Sequence, residues 1–151
     1  MLPLTDGPLV YIEDDEDDQF LFQQAVRELG FTNQIHAFGN GQEALHYLES
    51  TTDKPLLILC GLNMPVLGGL ELRRIIDGNE YLKQKSIPFI YFTTAASPAQ
   101  VAQAYRGDIQ GFHVKGHEFG ALKAQLHLII TYWQSCLHPN SFWQLGSSTA
   151  F

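Results

Sequence analysis

The sequence predicts an α/β protein in which helices alternate with the strands of a parallel sheet. Short apolar runs alternate along the chain with segments of helical periodicity, which is typical of consecutive β-α-β units. Polar stretches directly follow several of these runs, at the carboxyl ends of strands, where open parallel sheets bind their ligands. The 151 residues are enough for one domain with a sizeable core.

Five apolar runs are predicted to be strands. The third and fourth runs are apolar almost throughout, which is typical of central strands that helices cover on both faces. The five predicted strands are residues 9–12, 34–38, 56–60, 89–93 and 111–114.

The helices between these strands are predicted from their ends. Asn40-x-x-Glu43 and Ser97-Pro98-x-Gln100 resemble capping boxes, and the proline of the second fits the first helical position. A first helix is predicted over residues 17–29, and a third helix is predicted from residue 69 until a glycine at 78 stops it.

The last predicted helix, residues 118–134, has the clearest periodicity, because its apolar residues recur at three- and four-residue steps. These residues are Phe119, Leu122, Leu126, Ile129, Ile130 and Trp133. The pattern breaks at Pro139, so the domain is expected to span residues 8–136, followed by a tail over 137–151. Phe142 and Trp143 favour a tail that docks, since aromatic side chains are costly to leave in water; a frayed terminus is the alternative.

Composition and charge exclude several classes of protein. The formal net charge is −7 and the nine Lys and Arg residues are scattered, which argues against a nucleic-acid surface. No apolar run approaches the ~18 residues of a membrane span, and the N-terminus lacks a signal-peptide pattern, so a cytoplasmic protein is expected. Cys60 and Cys136 lack metal-site spacing and are expected to be reduced, buried thiols.

Polar residues gather at the ends of the predicted strands. Six consecutive acids, residues 13–18, follow the first strand; alone, such a run is most often a solvated loop at the positive end of a helix dipole. Leu62-Asn63-Met64-Pro65 lies just beyond the third strand, Thr93-Thr94-Ala95 ends the fourth, and Phe112-His113-Val114-Lys115 closes the fifth.

Together these stretches resemble the response-regulator receiver family, of the chemotaxis-Y-like kind, over about residues 8–134. The resemblance implies a doubly wound, five-stranded parallel sheet of order 2-1-3-4-5, the flavodoxin-like fold. It also implies a site in which an acid pair and an aspartate cooperate with Mg²⁺ to accept a phosphoryl group from a histidine kinase.

Several functional positions of the family are filled in this sequence. By resemblance, the acid pair falls on Asp14 and Asp15, and the phosphate-contacting hydroxyl falls on Thr93. The lysine of the family falls on Lys115, and the aromatic residue that commonly changes rotamer falls on Phe112. These residues are the expected remains of a phosphorylation site.

The phospho-acceptor position falls on Gly61, which has no side chain and cannot form an acyl phosphate. Two further positions depart from the family pattern: Gly68 replaces a loop aspartate, and Gly116 replaces the proline that usually follows the lysine. The second change removes the residue that often makes a cis bond there.

Loss of the acceptor carboxylate changes the expected chemistry of the site. Of the implied metal ligands, the Asp15 carboxylate and the Asn63 backbone carbonyl remain, so Mg²⁺ is expected to bind weakly or not at all. Lys115 is expected to pair directly with Asp14 and Asp15, although lysines near strand ends commonly just reach for water. Cys60 is expected to point into the core, because side chains alternate along a strand.

The favoured hypothesis is a stand-alone, non-enzymatic pseudo-receiver that needs no cofactor. It would bind a histidine kinase or another signalling protein through its fourth and fifth strands and helices, and the Tyr132-Trp133 end is similar to receivers that work beside phytochrome-type kinases. One alternative is a working receiver with an altered site or a surrogate acceptor at Asp14 or Asp15. Another is a structural homodimer that buries the aromatic residues of the tail.

Overall fold

The computed structural model describes residues 5–137 and residue 139 of the chain. The predicted tail, residues 137–151, lies almost entirely outside the described residues. The proposed docking of Phe142 and Trp143 therefore stays a prediction.

Within the described part of the chain, five strands and six helices follow one another, with one helix more than the sequence predicts. In chain order they are β1 Leu9–Ile12, α1 Glu16–Glu28, β2 Ile35–Phe38, α2 Gly41–Ser50, β3 Leu57–Cys60, α3 Gly69–Asp77, α4 Glu80–Gln84, β4 Phe89–Thr93, α5 Pro98–Ala104, β5 Gly111–Val114 and α6 Phe119–Ser135. The additional helix is the single turn of α4, which the Asn79 side chain caps by accepting a hydrogen bond from the Leu82 amide at 3.1 Å.

All strands pair in parallel in the order β2-β1-β3-β4-β5, which confirms the predicted doubly wound sheet. Central strands β1, β3 and β4 are buried along their whole length, because helices cover both faces. The strand order reverses between β1 and β3. The carboxyl ends of these two strands therefore lie where open parallel sheets form a cleft.

The alternation of side chains along the strands divides the core into two layers. One layer lies between the sheet and helices α2 to α5 and contains Ile12, Cys60 and Tyr91. The other lies between the sheet and helices α1 and α6 and contains Tyr11 and Phe92. Neighbouring residues of one strand therefore serve opposite layers, as the pleat requires.

The predicted helix caps are confirmed. Asn40 accepts a hydrogen bond from the Glu43 amide at 3.0 Å, and Ser97 and Gln100 form both bonds of a capping box, at 3.2 and 2.9 Å. Helix α1 begins at Glu16, one residue earlier than expected, with Asp15 as its cap.

Helix α6 covers the sheet through the stripe that the sequence predicts. Leu122, Leu126, Ile129 and Ile130 are buried, and Trp133 packs partly against the same core layer. The end of this helix lies near the start of the domain, because Gln134 donates a hydrogen bond to the Thr5 carbonyl at 3.1 Å. No helix within the described residues is long and apolar enough to span a membrane.

The two cysteines differ in their surroundings. Cys60 is fully buried in the core layer under α3, as predicted, and burial raises the pKa of its thiol well above the usual value. The expectation of burial is wrong for Cys136, which is only partly buried because it caps the exposed end of α6. Both are free thiols.

Gly69 is required by close packing at the start of α3. A Cβ atom at this position would lie 2.3 Å from the Gly61 carbonyl oxygen and 2.9 Å from the Tyr91 ring. We expect Gly69→Ala to lower the free energy of unfolding by about 2 kcal/mol, since overpacked cores must shift backbone or side chains. Urea denaturation measures this change.

Gly120 offers a matched control, because a Cβ atom there would meet nothing within 4 Å. Gly120→Ala is expected to leave the stability unchanged or to raise it by up to about 0.5 kcal/mol. Equal effects of the two substitutions would contradict the close approach at Gly69.

Candidate functional site

The carboxyl ends of four strands meet in one cleft, which we define by Glu13, Gly61, Thr93 and Lys115. Backbone hydrogen bonds between neighbouring strands hold these residues in register. The Gly61 amide donates to the Ile12 carbonyl at 2.9 Å, and the Lys115 amide donates to the Thr93 carbonyl at 2.8 Å. The residues that end β1, β3, β4 and β5 are thereby held side by side.

Gly61 lies at the centre of the cleft, and nothing in its surroundings demands a glycine. A Cβ atom there would lie 3.5 Å from the Ile12 carbonyl oxygen, 3.5 Å from the Met64 sulfur and 3.6 Å from Glu13 Oε1. These are ordinary van der Waals distances. Among the described residues the only glycine with a positive φ is Gly30, so the Gly61 backbone is one that any residue adopts.

Lys115 is buried in the cleft and makes two ion pairs. Its Nζ donates to Glu13 Oε1 in a short contact and to Asp18 Oδ2 at 3.1 Å. The same nitrogen lies 5.5 Å from the centre of the Tyr11 ring and 5.8 Å from that of Phe92, close enough for cation-π attraction. The ammonium group is therefore satisfied from inside the protein.

The predicted partners of Lys115 are wrong. Asp14 is exposed, and Asp15 uses its carboxylate to cap α1 by accepting a hydrogen bond from the Asp18 amide at 3.0 Å. Glu13 lies on the same face of β1 as Tyr11, because side chains alternate, and this is the face toward which Lys115 points. The cap at Asp15 then places Asp18 in the first turn of α1, within reach of the lysine.

The sequence pattern thus did not identify Glu13 and Asp18 as the partners of Lys115. The signal that identifies Glu13 is its position: it is the first residue after β1 and has the same parity as the buried Tyr11. Asp18 is marked by its place three residues after a helix-capping aspartate. The four acids between them, residues 14–17, are exposed.

Burial and charge act against each other in this cluster. Burial raises the pKa of the Glu13 carboxyl, although the hydrogen bond from Lys115 acts to lower it. Burial lowers the pKa of Lys115, but Tyr11 and the hydrogen-bonded Glu13 raise it by more, so its pKa lies above the usual lysine value. Lys115 thus carries its charge throughout the physiological pH range.

Thr93 is the last residue of β4 and Phe112 is the second residue of β5, and the roles that the resemblance assigns to them stay predictions. Thr93 is buried, and its hydroxyl donates only a long hydrogen bond of 3.5 Å to the Ala95 carbonyl. Phe112 is half-buried and packs against the core layer under α5, with its ring centre 5.4 Å from that of Tyr91. The Phe112 side chain therefore faces the core and not the solvent.

The cleft does not fit a divalent cation well. Magnesium prefers carboxylate and carbonyl oxygens, but Gly61 supplies no carboxylate and Glu13 is engaged by Lys115. Asp15 is engaged at the helix cap, which leaves exposed Asp14 and the Asn63 carbonyl as oxygen donors. No group of three His, Cys, Asp or Glu side chains in the described part of the chain is arranged to hold a metal. The weak Asp15 and Asn63 metal site stays a prediction.

The sequence pattern of the response regulator receiver domain matches residues 9–127. The chain belongs to the receiver domain family. The probable methanogenesis regulatory protein FilR2 of Methanothrix harundinacea is 29% identical to this chain, over 83% of this chain and 82% of that protein. The chemotaxis protein CheY1 of Helicobacter pylori is 26% identical, over 81% of this chain and 95% of that protein. The receiver resemblance of the sequence is thus confirmed.

Solved receiver structures share this fold. The phosphorylated cyanobacterial phytochrome response regulator RcpA superposes with a TM-score of 0.77 at 24% identity, covering 85% of this chain and 94% of its own. The Mn²⁺-bound response regulator Rcp1 gives a TM-score of 0.75 at 23% identity, covering 87% and 97%. Receiver domains are signalling domains that interact with histidine kinases and other signalling proteins, and this chain shares that general class.

The ion pairs of Lys115 generate a prediction about stability. Glu13→Gln is expected to lower the free energy of unfolding by about 3 kcal/mol, because it leaves a buried ammonium without one of its two anionic partners. Urea denaturation at neutral pH measures the change.

Asp14→Asn provides the matched control, since it removes one neighbouring carboxylate that is exposed. Its expected effect is within about 0.5 kcal/mol of zero. A larger loss for Asp14→Asn than for Glu13→Gln would contradict the assignment of Glu13 as the partner of Lys115.

Proposed function

We propose that this receiver domain is a pseudo-receiver, which signals by protein-protein contact without being phosphorylated. The observation that carries the proposal is Gly61, which lies at the centre of the cleft where the family resemblance implies an acceptor aspartate. A Cβ atom there would meet only ordinary van der Waals contacts, so neither close packing at Cβ nor backbone geometry explains the glycine. What the position lacks is the carboxylate that forms an acyl phosphate.

The ion pairs of Lys115 support the same proposal. In a phosphorylated receiver the lysine is implied to contact the phosphoryl group. Here Glu13 and Asp18 already hold the ammonium group, and the Lys115 side chain is only 8% exposed. The positive charge of Lys115 is therefore paired inside the protein without a phosphate.

A chain of contacts runs from the cleft to the outer strand β5. Gly69 packs against Gly61, and its carbonyl accepts a hydrogen bond from the Tyr91 hydroxyl at 3.1 Å. The Tyr91 ring in turn contacts Phe112, which stays turned inward. These contacts would hold β5 in one arrangement whether or not a phosphoryl donor is present.

The surface that follows from this arrangement is the face of α5, β5 and α6. It presents four exposed apolar side chains, Tyr105, Val114, Leu128 and Tyr132. Several similar structures are response regulators of phytochromes, which supports a phytochrome-type histidine kinase as the partner. The proposed role is to bind such a kinase, or another protein of its pathway, in a state that phosphorylation does not change.

Phosphorylation tests the proposal directly. Incubated with acetyl phosphate and Mg²⁺, the protein is expected to gain no phosphoryl group, because Gly61 offers no carboxylate. Gly61→Asp is expected to restore at least partial phosphorylation, since a Cβ atom at this position meets only ordinary contacts and Thr93 and Lys115 are present. Intact mass spectrometry measures both outcomes.

Gly61→Asn is the matched control, because it adds a side chain of the same size without a carboxylate. It is expected to remain unmodified. Phosphorylation of the natural protein at any aspartate of the acidic run, residues 13–18, would instead identify a surrogate acceptor and overturn the proposal.

Tyr91→Phe tests the contacts that lead from the cleft to β5. It removes only the hydroxyl that donates to Gly69, at a cost of about 1 kcal/mol. The expected result is a joint change in the NMR signals of the β3-α3 connection and of the β5 amides, including Phe112. Tyr47→Phe is the control, since it removes a hydroxyl that donates to Asp53 on the exposed surface. Shifts confined to residues around Gly69 would show that β5 is independent of the cleft.

A further inference from the structure

A groove crosses the edge of the sheet opposite the cleft; we call it the lower groove. It consists of two adjoining cavities of about 200 and about 290 Å³ that share Lys85 and Ile87. Leu82 and Trp133 line the first cavity, and Tyr81 lines the second. The groove therefore extends from the last turn of α6, past α4, to the connection between α2 and β3.

Helix α4 builds the middle of the lower groove. Just after this helix, Lys85 Nζ donates hydrogen bonds to the Leu48 carbonyl and, at 3.1 Å, to the Thr51 carbonyl. The same nitrogen lies 4.7 Å from the centre of the Tyr81 ring. These contacts fasten α4 to α2 and fix the ridge between the two cavities. The groove is thus formed by elements that are held together.

The cavity beside Trp133 has the size and chemistry to take an aromatic side chain. Its walls include Ile58, Ile76 and Leu82 of the core. Its volume of about 200 Å³ equals that of several water molecules, each of which occupies about 30 Å³ in the liquid. Exposed Lys83 at the rim adds a positive charge, which favours the face of an indole ring.

We propose that the tail of the same chain binds in the lower groove, with Trp143 in the cavity beside Trp133. Most of the tail lies outside the described residues. The position at which the chain leaves α6 and the composition of the tail support the proposal. Helix α6 ends at Ser135, within one turn of Trp133, so the chain leaves the helix at one end of the groove. Phe142, Trp143 and Leu145 follow shortly after Pro139.

The connection is long enough and close enough for this contact. Six residues lie between Cys136 and Trp143, and the seven steps from one Cα atom to the next can span up to about 23 Å, whereas Trp133 itself lines the cavity. A short link of this kind gives an effective concentration on the order of millimolar, so modest affinity is enough to occupy the groove. The tail is therefore favoured over a separate protein as the occupant.

Tryptophan fluorescence of the full chain tests the proposal, because the chain has two tryptophans. In a Trp133→Phe background the emission comes from Trp143 alone, and we expect acrylamide to quench it several-fold less than free tryptophan. Adding Ile87→Glu, which puts a charge into the groove, is expected to raise quenching to the free value. Adding Tyr105→Glu, an exposed position on α5 away from the groove, is the control and should change nothing. Full quenching in the Trp133→Phe background would overturn the proposal.

A second variant avoids any damage that a charge in the groove causes to folding. Trp143→Ser in the otherwise natural chain is expected to shift the emission of Trp133 to longer wavelength, because the ring that covers it is lost. Unchanged Trp133 emission would contradict docking beside Trp133. Both signals should be independent of protein concentration over a hundredfold dilution. A loss of protection on dilution would assign the groove to a second copy of the chain and overturn binding within one chain.

Discussion

A buried ammonium group must have negative partners, and this requirement at Lys115 organises the carboxyl edge of the sheet. The charge on β5 is met by Glu13, which continues β1, and by Asp18 of α1. Lys115 thereby ties β5 to residues that lie 97 and 102 positions earlier in the chain. Leaving such a charge without partners would cost far more than an exposed ion pair contributes. The contacts of one side chain therefore join β1, α1 and β5 at this edge.

The sequence was sufficient for the sheet because local patterns specify it. Runs such as 56–60 and 89–93 are apolar almost throughout, and this composition is typical of central strands covered on both faces. Helix α4 was missed because a single turn has no measurable periodicity, and it is held by tertiary contacts of Lys85. Cys136 was expected to be buried from its residue type alone, whereas its exposure depends on where α6 ends.

The partners of Lys115 could not be chosen from composition, since six consecutive acids offered equivalent charges. Geometry distinguishes them. The pleat of β1 turns Glu13 toward the lysine, and the cap at Asp15 rotates α1 so that Asp18 faces the same point. Family resemblance placed Thr93 at the end of β4, Phe112 in β5 and Lys115 just after it, because those positions depend on strands that the sequence defines. The acid pair lies in the connection between β1 and α1, where a shift of one residue changes which side chain points inward.

At Gly61 the shape of the cleft and the chemical group that it offers are independent of each other, because the position has no side chain. Its neighbours lie at ordinary contact distances from the place where a Cβ atom would be, and its backbone conformation suits any residue. In the genetic code, glycine and aspartate triplets differ by one base. A change of one base can therefore place a carboxylate at this position, and the contacts that its Cβ atom would make do not oppose the exchange.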